Sequence, residues 1–210
     1  MKRRRPLARE ILTSDEVASL LEQCGETVAG LRNRALIMLL DGTGLRISEA
    51  LALEPRDLDW DEGLVNVRHG KGDKQRVVPV ARRTLDAVQD WMRARSYVGI
   101  RPDAPVCSNL GGTHLSDSYV RKRLHQLAAN AGIAKRTHPH GLRHRFATRL
   151  VRRGVVITSV SQVLGHSNLA VTHRYCARLG AGPALDDVRK ALRALDRGRG
   201  HALLMKVGRS

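Results

Sequence analysis

Six residues of this chain have types and spacings that suit chemistry on a phosphodiester bond. They lie in the segments TGLRISEAL, HGKGDKQRVVPV, HPHGLRHRFATRL and LGHSNLAVTHRY, and they are Arg46, Lys71, His140, Arg143, His166 and Tyr175. Two arginines can clamp the non-bridging oxygens of a phosphate, because each presents a planar and permanently charged fork of donors. A tyrosine hydroxyl can then attack the phosphorus without a metal ion. The product is a phosphotyrosine, which keeps the bond energy for rejoining without ATP.

The remaining residue types supply the proton transfers of such a reaction. A phenol with a pKa of about 10 needs a base, and histidine can serve because its charge changes near pH 7. His140 and Arg143 are three residues apart, so a helix there would place both on one face, with His140 as the base or as a hydrogen-bond donor to the phosphate. Lys71 and Lys74 flank a predicted hairpin turn, where a mobile lysine could protonate the leaving sugar oxygen.

Each of these residues also has an ordinary structural interpretation. An isolated arginine such as Arg46 is commonly a solvated surface residue, and an isolated tyrosine is commonly buried in the core. We expect Glu49 to orient Arg46 by an ion pair, since the two are three residues apart. We interpret His138 and His144 as solvated or helix-capping residues. No Asp, Glu or Cys lies near these histidines in sequence, so a metal site is not expected.

The four segments together resemble the tyrosine recombinases, also called phage-type integrases, of the Xer and lambda-integrase kind. The ordered spacing makes the resemblance specific: Arg143 follows His140 by three positions, His166 follows Arg143 by 23, and Tyr175 follows His166 by nine. Any one of the motifs alone would be a weak signal. The resemblance covers roughly residues 12–195, which is nearly the whole chain.

The resemblance implies site-specific DNA cleavage and rejoining through a 3′-phosphotyrosine. Within it Tyr175 is the nucleophile, Arg46 and Arg143 hold the phosphate with assistance from His166, and the general acid is Lys71 rather than Lys74. The implied partner is double-stranded DNA, bound by a homotetramer on paired sites, with no metal or nucleotide cofactor. Such enzymes occur in mobile elements, where the outcome is integration, excision, inversion or resolution.

Typical members also carry an N-terminal core-binding domain. The catalytic-type helices are expected to start near residue 13, so we expect that domain to be absent here, and an accessory DNA-binding protein could then supply affinity for the site. Two further functions stay open. The chain could be a non-catalytic DNA-binding regulator that retains the fold, or a type IB-like topoisomerase that relaxes DNA without exchanging partners.

The charge of the chain agrees with a polyanionic partner. Lys and Arg number 37 against 20 Asp and Glu, for a formal net charge of +17. Charge alone fits an enzyme and a passive binder equally well. The aromatic content of 3% favours duplex DNA over single strands stacked on aromatic rings. Three widely spaced cysteines, no apolar run of 18 residues and no signal peptide lead us to expect a cytoplasmic protein without a membrane partner.

Periodicity predicts a mainly α fold with a small antiparallel β-sheet (α+β), in agreement with the catalytic-domain fold that the resemblance implies. We expect two strands within residues 64–80, where Val65 and Val67 alternate with Asn66 and Arg68, and an irregular loop at 97–113. Thr13 or Ser14 is expected to cap the first helix, and a Gly-rich break at 42–44 to follow the second, which runs from about residue 31 to 40. Further helices are expected at about 48–53, 82–95, 116–131, 141–153, 158–164, 168–178 and 184–195. Residues 1–10 form a basic flexible arm, 11–196 the catalytic domain and 197–210 a basic tail. The apolar face of helix 184–195 either docks on a neighbouring subunit or packs on its own core.

Overall fold

The computed structural model describes residues 11–68, 75–165 and 188–193, and it confirms a mainly helical fold with one small antiparallel sheet. The elements in chain order are α1 (Ser14–Glu22), α2 (Val28–Thr43), α3 (Ile47–Leu51), β1 (Leu58–Asp59), β2 (Leu64–Val67), β3 (Arg76–Pro79), α4 (Arg82–Tyr97), α5 (Asp117–Asn130), α6 (Pro139–Arg152) and α7 (Ile157–Leu164). A short 3₁₀ helix at Pro55–Asp57 precedes β1. The predicted arm and tail, Lys71, His166 and Tyr175 lie outside the described residues.

The helix starts follow from local capping. The hydroxyl of Thr13 accepts a hydrogen bond from the backbone N–H of Glu16, whose carboxylate accepts one from Thr13 N–H, as predicted for α1. The prediction for α2 was wrong at its start. The helix begins at Val28 rather than near residue 31, because the hydroxyl of Thr27 caps it by accepting from Gly30 N–H at 3.0 Å.

Helix α2 lies at the centre of the molecule, packed against α4 and α6. Its apolar residues join a continuous core in which Trp91 of α4 and Phe146 of α6 are completely buried. Trp91 Nε1–H donates to the carbonyl of Val106 at 2.7 Å, and Arg95 donates to three further carbonyls of the segment after α4. These contacts fix a loop that the sequence predicts to be irregular.

The sheet has the order β1-β2-β3 with antiparallel pairing throughout. Strand β1 is an addition to the two predicted strands. In β2, Val65 and Val67 are buried and Asn66 is exposed, which confirms the predicted alternation. The register pairs Val65 with Val78 and Val67 with Arg76. Since directly paired residues share a face of the sheet, Arg76 lies on the face that carries the buried valines.

Helix α6 is tied to α2 by a buried ion cluster. Arg145 Nη1 donates to both carboxylate oxygens of Asp41 at 2.6 Å, and Arg149 Nη1 donates to Asp41 Oδ2 at 2.7 Å. Arg145 Nε also donates to the carbonyl of Leu12 at 2.8 Å, which joins the segment before α1 to the same cluster. These contacts set the position of α6, on which two of the predicted site residues lie.

The helical segment 188–193 packs on the chain's own core. Val188 is fully buried, Leu192 is 3% exposed, and Arg189 lies 3.4 Å from Glu62. Val188 and Leu192 are buried by contacts within the chain, as the second of the two interpretations expects; docking on a neighbouring subunit stays a prediction. None of the described helices is long and apolar enough to cross a membrane.

Candidate active site

Arg46 stands immediately before α3, as its N-cap residue. Its Nη1 donates to Glu49 Oε1 at 2.7 Å, and its backbone N–H donates to Glu49 Oε2 at 2.8 Å. These two contacts confirm that Glu49 orients Arg46. Its Nη2 donates to the carbonyl of Gly165 at 3.0 Å. The side chain is 27% exposed, so its guanidinium is held on one edge and reachable from solvent on another.

Arg143 lies in the second turn of α6 and is 5% exposed. Its Nη1 donates to the carbonyl of Gly44 at 2.6 Å, and its Nη2 donates to the carbonyl of Leu164 at 2.7 Å. These carbonyls lie at the C-terminal ends of α2 and α7, where a cation is favoured by the helix dipole and by unpaired acceptors. Arg143 therefore joins three helices and places its guanidinium between them.

Gly44 permits this arrangement for a steric reason. It ends α2 with φ +65°, a conformation that side chains rarely adopt, and a Cβ there would collide with Phe146 and Leu164. The close approach of the backbone brings the carbonyl of Gly44 within reach of Arg143. The Gly-rich break that the sequence predicts at 42–44 thus supplies a backbone carbonyl that holds Arg143.

Glu49 is the charge centre of the site. It is 4% exposed and lies among three arginines: Arg46, Arg76 and Arg143, whose Nη1 is 3.9 Å from Glu49 Oε2. Burial raises the pKa of Glu49, but hydrogen bonds from Arg76 and from the Arg46 backbone outweigh burial, so the net pKa is lowered. One carboxylate against three guanidinium groups leaves two positive charges in excess.

The same surroundings act on Arg143. Burial, followed by the positive charge of Arg46, lowers the pKa of Arg143 to about 10. The group is still charged at neutral pH. A buried site with an excess of positive charge and a partly open edge at Arg46 is suited to bind an anion such as a phosphodiester.

Arg76 was missed by the sequence reasoning, which assigned no role to it. Its Nη1 and Nη2 donate to the two oxygens of Glu49 at 2.9 and 2.6 Å, and its Nε donates to the carbonyl of Val163 at 2.7 Å. A signal was present in the sequence. Arg76 alternates with Val78 and so falls on the inward face of β3, where a charged residue needs a partner.

His140 is the second residue of α6 and is exposed, three residues before Arg143 on the same helix. Its ring stacks on His138, with centroids 6.2 Å apart and planes inclined by 15°. His138 Nδ1 accepts from Gly141 N–H at 3.2 Å, which confirms the capping interpretation, and His144 is exposed. In the part of the chain that the structure describes, no three His, Cys, Asp or Glu side chains form a cluster that could hold a metal ion.

The structure thus brings Arg46 and Arg143 together around Glu49. Lys71 belongs to the connection 68–75 between β2 and β3, and His166 directly follows Gly165, whose carbonyl accepts from Arg46. Lys71, His166 and Tyr175 lie outside the described residues, and their roles stay predictions.

The chain is similar in sequence to known recombinases. The model of the phage integrase family matches residues 10–180. The tyrosine recombinase XerC of Xanthomonas axonopodis pv. citri (strain 306) is 40% identical over 166 residues, which are 79% of this chain and 53% of the relative. XerC of Rhodospirillum centenum is 41% identical over 178 residues, 83% of this chain and 51% of the relative. The chain spans about half the length of these curated relatives.

Solved structures give the same result. The XerA recombinase superposes with a TM-score of 0.68 at 29% identity, covering 83% of this chain and 61% of that one. The XerH site-specific recombinase, bound to its difH substrate in a pre-cleavage complex, superposes with a TM-score of 0.66 at 29% identity, covering 79% of this chain and 50% of that one.

Proposed function

The chain belongs to the phage integrase family, and we propose that it cleaves and rejoins double-stranded DNA at specific sites through a 3′-phosphotyrosine intermediate. The observation that carries the proposal is the convergence of Arg46 and Arg143 on one buried carboxylate, with positive charge in excess. A passive DNA-binding protein has no need of two guanidinium groups held this rigidly at one point. A reaction at a single phosphate does.

The two arginines act on the scissile phosphate. Negative charge grows on the non-bridging oxygens in the transition state, and guanidinium groups that are already oriented stabilise it without reorganising. Glu49 holds Arg46, and the carbonyls of Gly44 and Leu164 hold Arg143. His166 donates a further hydrogen bond to the phosphate.

The nucleophile and the proton transfers come from the remaining residues. The Tyr175 oxygen forms a bond to phosphorus as its proton passes to His140, and the bond from phosphorus to the 5′ oxygen breaks. Lys71 gives that oxygen a proton, so the strand leaves with a 5′-hydroxyl. Rejoining is the same sequence in reverse, with a new 5′-hydroxyl as the attacking group.

The partners follow from the reaction. Four copies on two paired sites would convert cleavage into recombination, in the cytoplasm where DNA is accessible. XerH supports DNA as the partner, since its structure is that of a complex with the difH substrate. An accessory DNA-binding protein would add affinity for the site.

A covalent-trapping assay tests the proposal. The chain is incubated with nicked duplexes from its genomic neighbourhood in EDTA, denatured with SDS, and the attached DNA is sequenced. Nicked duplexes are used because the short released strand diffuses away and leaves the adduct. Tyr175→Phe should abolish the adduct, and Tyr97→Phe should retain it, since Tyr97 is 91% exposed on α4.

Each other outcome rejects the proposal in a defined way. DNA binding without any adduct would indicate the regulator. An adduct that persists in Tyr175→Phe would place the nucleophile elsewhere. Relaxation of supercoiled DNA that never requires a second site would indicate the type IB-like activity.

A further inference from the structure

Arg76 makes contacts with three separate parts of the site. It is the first residue of β3, it binds both carboxylate oxygens of Glu49 in α3, and it binds the carbonyl of Val163 in the last turn of α7. Its side chain also packs against Gly165, and a Cβ at that glycine would lie only 3.2 Å from Arg76 Cδ, closer than ordinary van der Waals contact. One side chain therefore connects a strand and two helices that are remote in sequence.

Each of these segments leads directly to a residue that the proposed reaction uses. Glu49 orients Arg46, three residues before it. Gly165 is followed by His166, and the connection that carries Lys71 ends where β3 begins. A shift of Arg76 would therefore be transmitted to several groups of the site at once.

Arg76 has more of its guanidinium engaged than the other two arginines. Its Nη1 and Nη2 both donate to Glu49 in a bidentate pair, whereas Arg46 gives Glu49 only one guanidinium hydrogen bond and Arg143 gives it none. The Nε of Arg76 is committed to a backbone carbonyl. Its effect on the reaction must pass through Glu49 and the end of α7.

The charge balance shows what that effect is. Without Arg76, Glu49 would have only Arg46 and Arg143 as partners, and these are the groups that must bind the phosphate. A buried carboxylate that lacks its own cation attracts the nearest ones strongly, because little water screens it. Arg76 supplies two of the four hydrogen bonds to Glu49, and its charge lessens the pull of the carboxylate on the other two guanidinium groups.

We propose that Arg76 is a positioning residue for strand cleavage: it neutralises Glu49, and it anchors the turn that precedes His166. This inference rests on the proposed function. It makes a statement that the proposed function does not, namely that the loss of Arg76 acts through Glu49.

The first experiment measures adduct formation by Arg76→Gln on a normal scissile phosphate and on a methylphosphonate at the same position. The methylphosphonate is neutral, so it needs less help from positive charge. We expect Arg76→Gln to slow cleavage of the phosphate by about 10- to 100-fold and of the methylphosphonate by about threefold at most. Equal slowing of both substrates would indicate a purely structural role and overturn the inference. Arg101→Gln, which removes the same charge from a side chain that is 80% exposed, is the control.

The second experiment does not depend on catalysis. Inorganic sulfate is titrated into the full chain, and the guanidinium NMR signals of Arg46 and Arg143 report its binding. Arg76→Gln should weaken binding by roughly tenfold, because one positive charge is lost within a few ångströms of the anion. The double variant Arg76→Gln/Glu49→Gln has the original net charge at the site, so its affinity should return to within about threefold of the unsubstituted chain.

The two readouts separate the inference from the proposed function. If no Tyr175-dependent adduct forms while sulfate binding follows the predicted order, the reaction is wrong and the pairing role of Arg76 stands. If adducts form but sulfate affinity is unchanged by Arg76→Gln, the inference is wrong and the reaction stands. Arg76→Lys should keep most of the sulfate affinity, since it retains the charge. It should still cleave slowly, since a lysine cannot hold Glu49 and Val163 together.

Discussion

Replacing Glu49 with Gln tests the charge centre of the site with the smallest change of shape. The carboxylate accepts four hydrogen bonds, two from Arg46 and two from Arg76. In glutamine one of these oxygens is replaced by an NH₂ group, which donates and cannot accept. In either orientation of the amide, one N–H of Arg46 and one of Arg76 then point at this NH₂ group and lose their acceptor. The net charge of the cluster also rises, and three guanidinium groups are left together with no anion.

The cost follows from these losses. Breaking a buried ion pair by removing one partner costs about 3–5 kcal/mol, since the other partner is left buried without compensation. Glu49 is 4% exposed, so solvent screens the loss very little. For a chain of 210 residues this corresponds to a decrease in Tm of about 6–20 °C. Because Arg46 loses its anchor, adduct formation should also slow, by roughly 10- to 100-fold.

The measurement is urea unfolding at pH 7, followed by far-UV circular dichroism, with the adduct assay on the same preparations. Glu62→Gln is the matched control, because Glu62 is 65% exposed and its contact with Arg189 is 3.4 Å long. The control should lose less than about 1 kcal/mol. A loss below about 1 kcal/mol in Glu49→Gln, with cleavage unchanged, would refute the role assigned to Glu49.

Three further predictions concern stability. Because its pKa is lowered on folding, Glu49 stabilises the fold above its unfolded pKa of about 4.3, and this stabilisation is lost as pH falls through the lower folded value. On acidification the free energy of unfolding should therefore decrease less in Glu49→Gln than in the unsubstituted chain. Equal decreases in the two proteins would contradict this. Asp41→Asn should cost about 3–5 kcal/mol in urea unfolding, against under about 1 for the exposed Asp86→Asn, and equal costs would refute the buried cluster. Gly44 and Gly25 both have a positive φ, but of the two only Gly44 lacks room for a Cβ. In thermal melts, Gly25→Ala should lower the free energy of unfolding by about 1–2 kcal/mol, and Gly44→Ala should lower it by about 1–3 kcal/mol more. Equal losses would show that Phe146 and Leu164 move aside to accommodate the Cβ, and would contradict the steric role of Gly44.

Local signals in the sequence were sufficient for most of the elements. The Thr13 cap and the alternation in β2 are short-range patterns, and both are confirmed. The start of α2 was misplaced, although Thr27 is itself a local capping signal. Strand β1 was missed because it has two residues, and its pairing of Leu58 with Val65 depends on a neighbour rather than on its own pattern.

The residues of the site also divide into those that local spacing predicts and those that depend on contacts between distant elements. Arg46, His140 and Arg143 were selected by residue type and spacing, and the structure places the two arginines together as that selection requires. The pairing of Glu49 with Arg46 was also predictable, because the two are three residues apart. The bond from Arg76 to Glu49 was not, because it joins residues 27 positions apart in different elements.

By itself, the sequence determined the chemistry available to this protein: which residue types it has, at what spacing, and on which faces of its helices. Only the tertiary structure decided how that chemistry is held in place. The carbonyls of Gly44 and Leu164 are bound by Arg143 because α2, α6 and α7 pack with their ends together. A short motif can encode a side chain and its near neighbours along a helix. The remote backbone groups that meet a guanidinium depend on how all three helices fill one core, which is a property of the whole chain.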